Sequence, residues 1–292
     1  MNKFFQIQKE HIPYFKELDF YDALDQLVWP DYFAIGATIQ NDEDGKDHPV
    51  GLMVARIDED RIVITWLYVS EMYRGLDIGS GFVSLMFKES KARGFDTLSV
   101  RIPAIYEKNG LPWNPRGFFG ASRFATEEVE LPEWNFFAAS LYGRKDIFLR
   151  TKKMDDIRPF SELSDESLKR LYQMVAKKHG SSLPYDIHTI RPYVDRELSY
   201  VLIDNKEVKG IIFVQKTGNN IYPIYFDADE KRAPGFIADI FEMSEDYVSV
   251  NDRVHIVPRR PLPVKAIRQV ELTIPSWDVV NMVAKVEDHI GD

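Results

Sequence analysis

The residues from 67 to 81, Leu-Tyr-Val-Ser-Glu-Met-Tyr-Arg-Gly-Leu-Asp-Ile-Gly-Ser-Gly, couple an apolar strand to a glycine-bearing turn that opens an amphipathic helix. A turn of that kind offers unpaired backbone N–H groups and the positive end of a helix dipole, which together attract phosphate. The N–H groups of Gly75, Leu76, Asp77, Ile78, Gly79 and Ser80 are the expected donors. Arg74 supplies charge or braces the turn, and glycine at position 79 permits close approach of backbone to a ligand. The pattern points to a phosphorylated cofactor. The competing explanation is a tight strand-to-helix connection that needs glycine for geometry alone.

Several elements must hold that turn in place. Arg61–Val69 is a near-continuous apolar run, as expected of a central strand covered on both faces. Ile78, Phe82, Leu85 and Met86 mark one face of a helix that ends near Gly94, and Thr97–Ile102 reads as the next strand. Strand, turn, helix and strand in this order require a parallel pair, with the ligand at the strand's C-terminal end. Upstream, Tyr14, Leu18, Tyr21 and Leu24 recur at helical spacing and Pro30 closes the stretch. Tyr32–Ile39 and Val50–Ile57 flank an acidic polar segment and predict an antiparallel hairpin. Downstream, Ala125–Glu130 and Asp146–Lys152 read as two further strands.

After Lys153 the order restarts. Ser164-Asp-Glu reads as a helix cap with acid in the first turn, and Leu168, Leu171, Met174 and Val175 give an apolar helical face. Ser199–Ile203 and Val208–Gln215 predict a hairpin, followed by strands at Ile221–Phe226 and Val254–Val257. Two domains are therefore expected, residues 1–154 with the cofactor turn and residues 155–292 as a second copy. The second copy carries Asp227-Ala-Asp-Glu-Lys-Arg-Ala-Pro-Gly-Phe where the first has its glycine turn. Three acids and a proline would repel a pyrophosphate and remove a donor N–H.

Leu67-Tyr-Val69, followed after a short gap by Arg74-Gly-Leu-Asp-Ile-Gly79, resembles the central signature of the GNAT superfamily of acyl-CoA-dependent N-acyltransferases. The resemblance implies an α/β (α+β) fold: a mixed, mostly antiparallel central sheet flanked by helices, here with a second, smaller and degenerate GNAT-like domain. It implies acetyl-CoA as cofactor, bound by Arg74 to Ser80 and by the main chain of Leu67, Tyr68 and Val69, where the strand splays from its neighbour. Asp77 departs from the family pattern, standing where a glycine is usual; aspartate tolerates left-handed backbone, but its charge opposes a nearby pyrophosphate. The family's general acid is a tyrosine in a Phe-Tyr-x-x-x-Gly-Phe setting. Phe118-Phe119-Gly-Ala-Ser-Arg-Phe124 matches by distance and puts Phe119 at the tyrosine's place, whereas Ile105-Tyr106-Glu-Lys-Asn-Gly110 matches by letters and offers Tyr106.

The implied activity is an N-acetyltransferase that moves an acetyl group to a primary amine by direct attack on the thioester. Such an amine, with a pKa near ~10, must lose a proton, and Glu71 is the candidate base closest in sequence. Trp66 and Arg101 are candidates to line the acceptor channel, with a core position as the alternative for Trp66. The acidic loops Asp42–Asp47 and Asp58–Asp60 would favour a cationic acceptor. The other reading is a non-catalytic acyl-CoA-binding or regulatory module, suggested by Asp77 and Phe119.

Composition narrows the classes further. The 292 residues are 45% apolar and 13% aromatic with a formal charge of −9, which supports a sizeable core and argues against general nucleic-acid binding. Zero cysteines exclude disulfides and thiolate chemistry, and the six scattered histidines form no ligand spacing, so no metal is expected. No apolar run approaches the roughly 20 residues that span a bilayer, and the polar N-terminus does not read as a signal peptide. A cytoplasmic enzyme with a small-molecule or peptide amine as partner is expected, without membrane or nucleic acid, and a homodimer is compatible with the sequence.

Overall fold

A computed structural model of the chain describes residues 3–19, 21–40, 45–103, 107–108, 111–112, 115–127, 134–142, 156–179, 190–229, 232–256 and 279–287. In chain order these form β1 (Lys3–Gln6), α1 (Ile12–Phe15), β2 (Tyr32–Gln40), β3 (Asp47–Ile57), β4 (Arg61–Val69), α2 (Ile78–Ala92), β5 (Thr97–Pro103), a two-residue pair β6 (Glu107–Lys108) and β7 (Leu111–Pro112), α3 (Pro115–Ala121) and β8 (Ala125–Thr126). The chain continues through β9 (Trp134–Phe137), α4 (Ala138–Tyr142), β10 (Ile157–Pro159), α5 (Asp165–His179), β11 (Tyr200–Asp204), β12 (Glu207–Thr217), β13 (Asn220–Ala228), α6 (Ala233–Ser244), β14 (Arg253–Ile256) and β15 (Val279–Lys285).

The chain divides into two units, Met1–Glu130 with Asp278–Asp292, and Leu131–Trp277. Neither unit ends where the sequence pattern restarts at 154/155. In the first unit the sheet order is β1-β2-β3-β4-β5-β15-β8, so the last strand of the chain sits inside the first sheet. In the second the order is β10-β11-β12-β13-β14-β9, so a strand that precedes the expected boundary closes the second sheet. The partners of both strands lie far away in sequence, which is why local pattern does not assign them to these sheets.

Within the first unit, the apolar run of β4 forms a strand because it is covered on both sides. Gly51 lies opposite Val69 in the β3–β4 ladder, and a Cβ there would meet Phe82 and Ile78 of α2 at 2.8 and 3.0 Å. The indole of Trp66 donates to the carbonyl of Leu18 at 3.3 Å and stacks on Tyr21 at 5.7 Å. Trp66 is thus a core residue and not a channel lining. The single helix expected around Tyr14 to Leu24 is instead broken into short turns, α1 among them, and Tyr14 is exposed. Buried Asp19 accepts the N–H groups of Ala23 and Leu24 at 2.6 and 2.9 Å, and Asp22 has a left-handed backbone with φ 57°. Side-chain capping of this kind competes with helix propagation.

The feature that prepares a site is the junction of β4 and β5. These strands are parallel and pair only from Arg61–Thr97 to Ile64–Val100. Immediately afterwards Val54 of β3 faces Trp66 while Ala55 faces Ile64, which leaves Thr65 as an extra residue on β4. A bulge bends its strand and increases local twist. β5 meanwhile runs on to Pro103 in register with β15. The two strands therefore diverge into a wedge beyond Ile64 and Val100. The second unit repeats the device: β13 and β14 are parallel, pair at Asn220–Arg253 and Ile221–Val254, and then part.

Candidate cofactor site

The turn after β4 is built by a succession of backbone bonds. Ser70 N–H donates to Val50 O at 2.9 Å, and Tyr73 N–H returns to Ser70 O at 2.9 Å across the short 3-10 turn Glu71–Tyr73. Arg74 Nε then donates to Val69 O at 3.1 Å while its guanidinium lies 5.6 Å from the centre of the Tyr68 ring. Arg74 therefore braces the end of β4, one of its two expected roles. Gly75 has φ 80° and Asp77 has φ 58°, ψ 14°. Both are in the region that L-residues avoid, and aspartate is among the few that enter it at modest cost. The departure from glycine at position 77 is thus accommodated by the backbone.

Helix α2 begins directly after Asp77, and Gly81 N–H to Asp77 O at 2.8 Å opens its ladder. The Asp77 side chain makes no cap hydrogen bond. The N–H groups of Ile78, Gly79 and Ser80 are those for which a helix has no internal acceptor. Leu76, Asp77 and Ser80 are exposed around them, so the helix N-terminus presents uncapped donors at an open surface. An anion fits this arrangement, with the carboxylate of Asp77 as an opposing charge.

Leu67, Tyr68 and Val69 bury their side chains in the core. Any contact they make with a ligand in the wedge is through the backbone edge that β4 no longer shares with β5, and the Val69 carbonyl is already engaged by Arg74. Gly79 has a second reason to be glycine. A Cβ there would lie 3.0 Å from the Phe118 ring of α3, so the residue permits close helix packing whether or not a ligand approaches. Glu71 is exposed at the start of the 3-10 turn. Tyr106 lies outside the described residues.

Phe119 is fully buried, edge-on to Phe118 at 5.0 Å and to Phe124 at 5.3 Å. Arg123 has φ 63°, at the position where the Phe-Tyr-x-x-x-Gly-Phe setting has its glycine. Backbone geometry thus agrees with the alignment that places Phe119 at the tyrosine's position, where no hydroxyl is available. Three acids of these loops are paired: Asp47 with Lys3 at 3.0 Å, Asp58 with Arg56 at 2.9 Å, and Asp60 with Arg61 at 3.0 Å.

The equivalent turn of the second unit offers fewer donors: Arg232 and Ala233 N–H both donate to Asp229 O at 2.8 Å, and Pro234 has no N–H. Its wedge is bridged as well. Tyr222 and His255, each the first residue past the last strand pair, stack at 4.8 Å, and His255 Nε2 bonds Asn220 Oδ1 at 2.7 Å. Burial, with a smaller effect of Arg253, pushes the His255 imidazole down to about 3, so it is neutral at ordinary pH.

Comparison with known proteins agrees with this architecture. Residues 2–110 match the model of the acetyltransferase (GNAT) family. The tandem GNAT protein of the clavulanic acid biosynthesis pathway is 12% identical, superposes with a TM-score of 0.63, and is matched over 98% of this chain and 99% of its own. A GCN5-related N-acetyltransferase from Sphaerobacter thermophilus is 11% identical, with a TM-score of 0.51 over 87% of this chain and 80% of its own. No curated protein matches the sequence significantly. The chain has the fold of tandem GNAT structures: two mixed, mostly antiparallel sheets flanked by helices. Among the described residues, no helix is long and apolar enough to cross a membrane.

Proposed function

We propose that the first unit is an N-acetyltransferase that uses acetyl-CoA and a primary amine, and that the second unit is a degenerate partner without a cofactor site. The observation that carries this reading is the coincidence, on one strand, of a wedge beyond Ile64–Val100 and an uncapped helix N-terminus at Ile78 to Ser80. Acetyl-CoA would supply an activated thioester whose acyl carbon accepts the amine. The N–H groups at the start of α2 hold its pyrophosphate, and the unshared edge of β4 at Leu67 to Val69 holds its arm. A backbone N–H at that edge would also receive the oxyanion that develops on attack.

The amine must be neutral to attack, and Glu71 is the proposed acceptor of its proton, directly or through water. The C–N bond forms as the C–S bond breaks, and the sulfur leaves as a thiolate or takes a proton. A thiol pKa of about 8.5 makes thiolate a tolerable leaving group near neutrality, so the phenyl ring at 119 does not forbid the reaction. Tyr106 is the proposed proton donor where one is used.

Isothermal titration of acetyl-CoA into the full chain tests the site, alongside a Ser80→Glu variant. Ser80 is exposed, so the new charge repels phosphate without disturbing packing, whereas a bulky residue at Gly79 would also strike Phe118. Micromolar binding that is lost in the variant supports the site, and thiol release with an amine panel then supports turnover. Binding without thiol release on any amine would leave a non-catalytic acyl-CoA-binding module. No heat at millimolar acetyl-CoA would overturn both readings.

A further inference from the structure

We propose that Arg74 is a strap across the open end of the β4–β5 wedge: without a ligand it holds the Val69 carbonyl and covers the edge that an acyl arm needs, and a phosphate at the start of α2 draws it away. The inference rests on the cofactor reading above and adds to it how that site opens. In the antiparallel β3–β4 ladder Ser70 N–H donates to Val50 O at 2.9 Å, so Ser70 turns its main-chain groups toward β3. Main-chain groups alternate sides along a strand, and those of Val69 therefore point away from β3, to the side that β5 has left. Arg74 Nε lies 3.1 Å from the Val69 oxygen, which puts it on that open side.

The guanidinium continues to the far face of the sheet. Val69 is paired with Gly51, where a Cβ would meet Phe82 and Ile78, so Val69 shares the face that α2 covers. Tyr68, one residue earlier, points to the opposite face. The Arg74 guanidinium lies 5.6 Å from the centre of the Tyr68 ring. Its side chain thus starts in the turn that opens α2, passes the wedge edge at Val69 and ends over the face away from α2. While it lies there, the Val69 carbonyl is not available to a ligand.

Arg74 is exposed, so no packing locks the strap in place. One hydrogen bond to a neutral acceptor and one exposed cation–π contact hold it, and both are modest. The same residue stands four positions before Ile78, where the uncapped N–H groups of α2 begin. A guanidinium bonds phosphate about twice as strongly as a neutral acceptor, and with two parallel N–H groups. A phosphorylated ligand therefore outcompetes the Val69 carbonyl for Arg74. A ligand with the same arm and no phosphate has nothing to exchange, and its apparent affinity falls by the fraction of molecules in which the strap is displaced.

The test titrates the full chain with acetyl-CoA by calorimetry and with S-acetylpantetheine, the same arm without phosphates, by ligand-observed NMR. Wild type, Arg74→Met and Arg74→Gln are compared, with thermal melts as a check on folding. Arg74→Met removes both the obstruction and the charge, so it should bind S-acetylpantetheine about fivefold tighter than wild type and acetyl-CoA at least about fivefold weaker at low salt, each roughly one hydrogen bond. Arg74→Gln keeps a neutral donor for Val69 O and loses the charge. It should bind S-acetylpantetheine as wild type does and acetyl-CoA as weakly as Arg74→Met. If Arg74 only braces β4, both ligands weaken together in Arg74→Met, and that result would overturn the strap, as would unchanged binding of either ligand. Either outcome with acetyl-CoA still bound to wild type leaves the cofactor reading standing, whereas no binding of either ligand to wild type or variants would overturn that reading and the strap with it.

Discussion

Replacing Asp77 separates the backbone demand of the turn from its charge. The residue has φ 58°, and a left-handed conformation costs an L-residue about 1–2 kcal/mol, toward the lower end for aspartate. Glycine relieves that strain by about 1 kcal/mol. It also removes a carboxylate from a helix N-terminus, which loses about 0.5 kcal/mol of dipole interaction. The net gain is about 0.5 kcal/mol, a shift of about 1–2 °C in Tm for a unit of this size. Affinity should move further. Two like charges about 8 Å apart at an effective dielectric near 20–40 repel by about 1–2 kcal/mol, so removing one tightens CoA binding about tenfold. The Asp77→Asn variant keeps the tolerance for left-handed backbone and removes only the charge. Both variants should tighten acetyl-CoA in calorimetry at low ionic strength, with the advantage shrinking as salt rises. Unchanged affinity of Asp77→Asn at low salt would refute a phosphate at this turn or place the carboxylate away from it.

Three further outcomes follow from the same physics. His255 is neutral in the fold, with its pKa about 3 against an ordinary 6.5, so its contribution is complete above pH 6.5 and is lost as pH falls toward 3. Urea titrations should show the second unit weakening by about 1.4 kcal/mol per pH unit in that window, and His255→Phe should flatten the slope. At Gly79 an added Cβ sets a helix-propensity gain of about 1 kcal/mol against crowding by the Phe118 ring at 3.0 Å, so Gly79→Ala should stabilise the first unit more in a Phe118→Leu background than with Phe118 present; thermal melts of the single and double variants decide it. Truncation after Trp277 removes β15 from between β5 and β8, exposing two ladder edges. Limited proteolysis should then cleave the first unit under conditions in which the full chain resists.

Sequence alone determined whatever depends on neighbours along the chain. The apolar run Arg61–Val69 could only be a covered strand, the helix from Ile78 could only start at the glycine turn, and the hairpins are where alternation and turn residues put them. The left-handed turn before Ile78 was legible because strand, turn and helix are contiguous. The missing donor N–H of the second turn was legible too, from Pro234. Tertiary structure decided what contiguity does not encode. β9 and β15 exchange between sheets because the vacancies beside β14 and β5 lie far away in sequence, and nothing local marks four or seven residues as belonging to a distant ladder. Trp66 went to the core because Tyr21 and the Leu18 carbonyl meet it there. Gly79 answers to Phe118 as well as to any ligand. The wedge required the Thr65 bulge, visible only once β3 and β4 are in register. Asn281 and Glu127, separated by most of the chain, became neighbours only when β15 entered the first sheet, since backbone pairing, and not sequence distance, sets which side chains share a face.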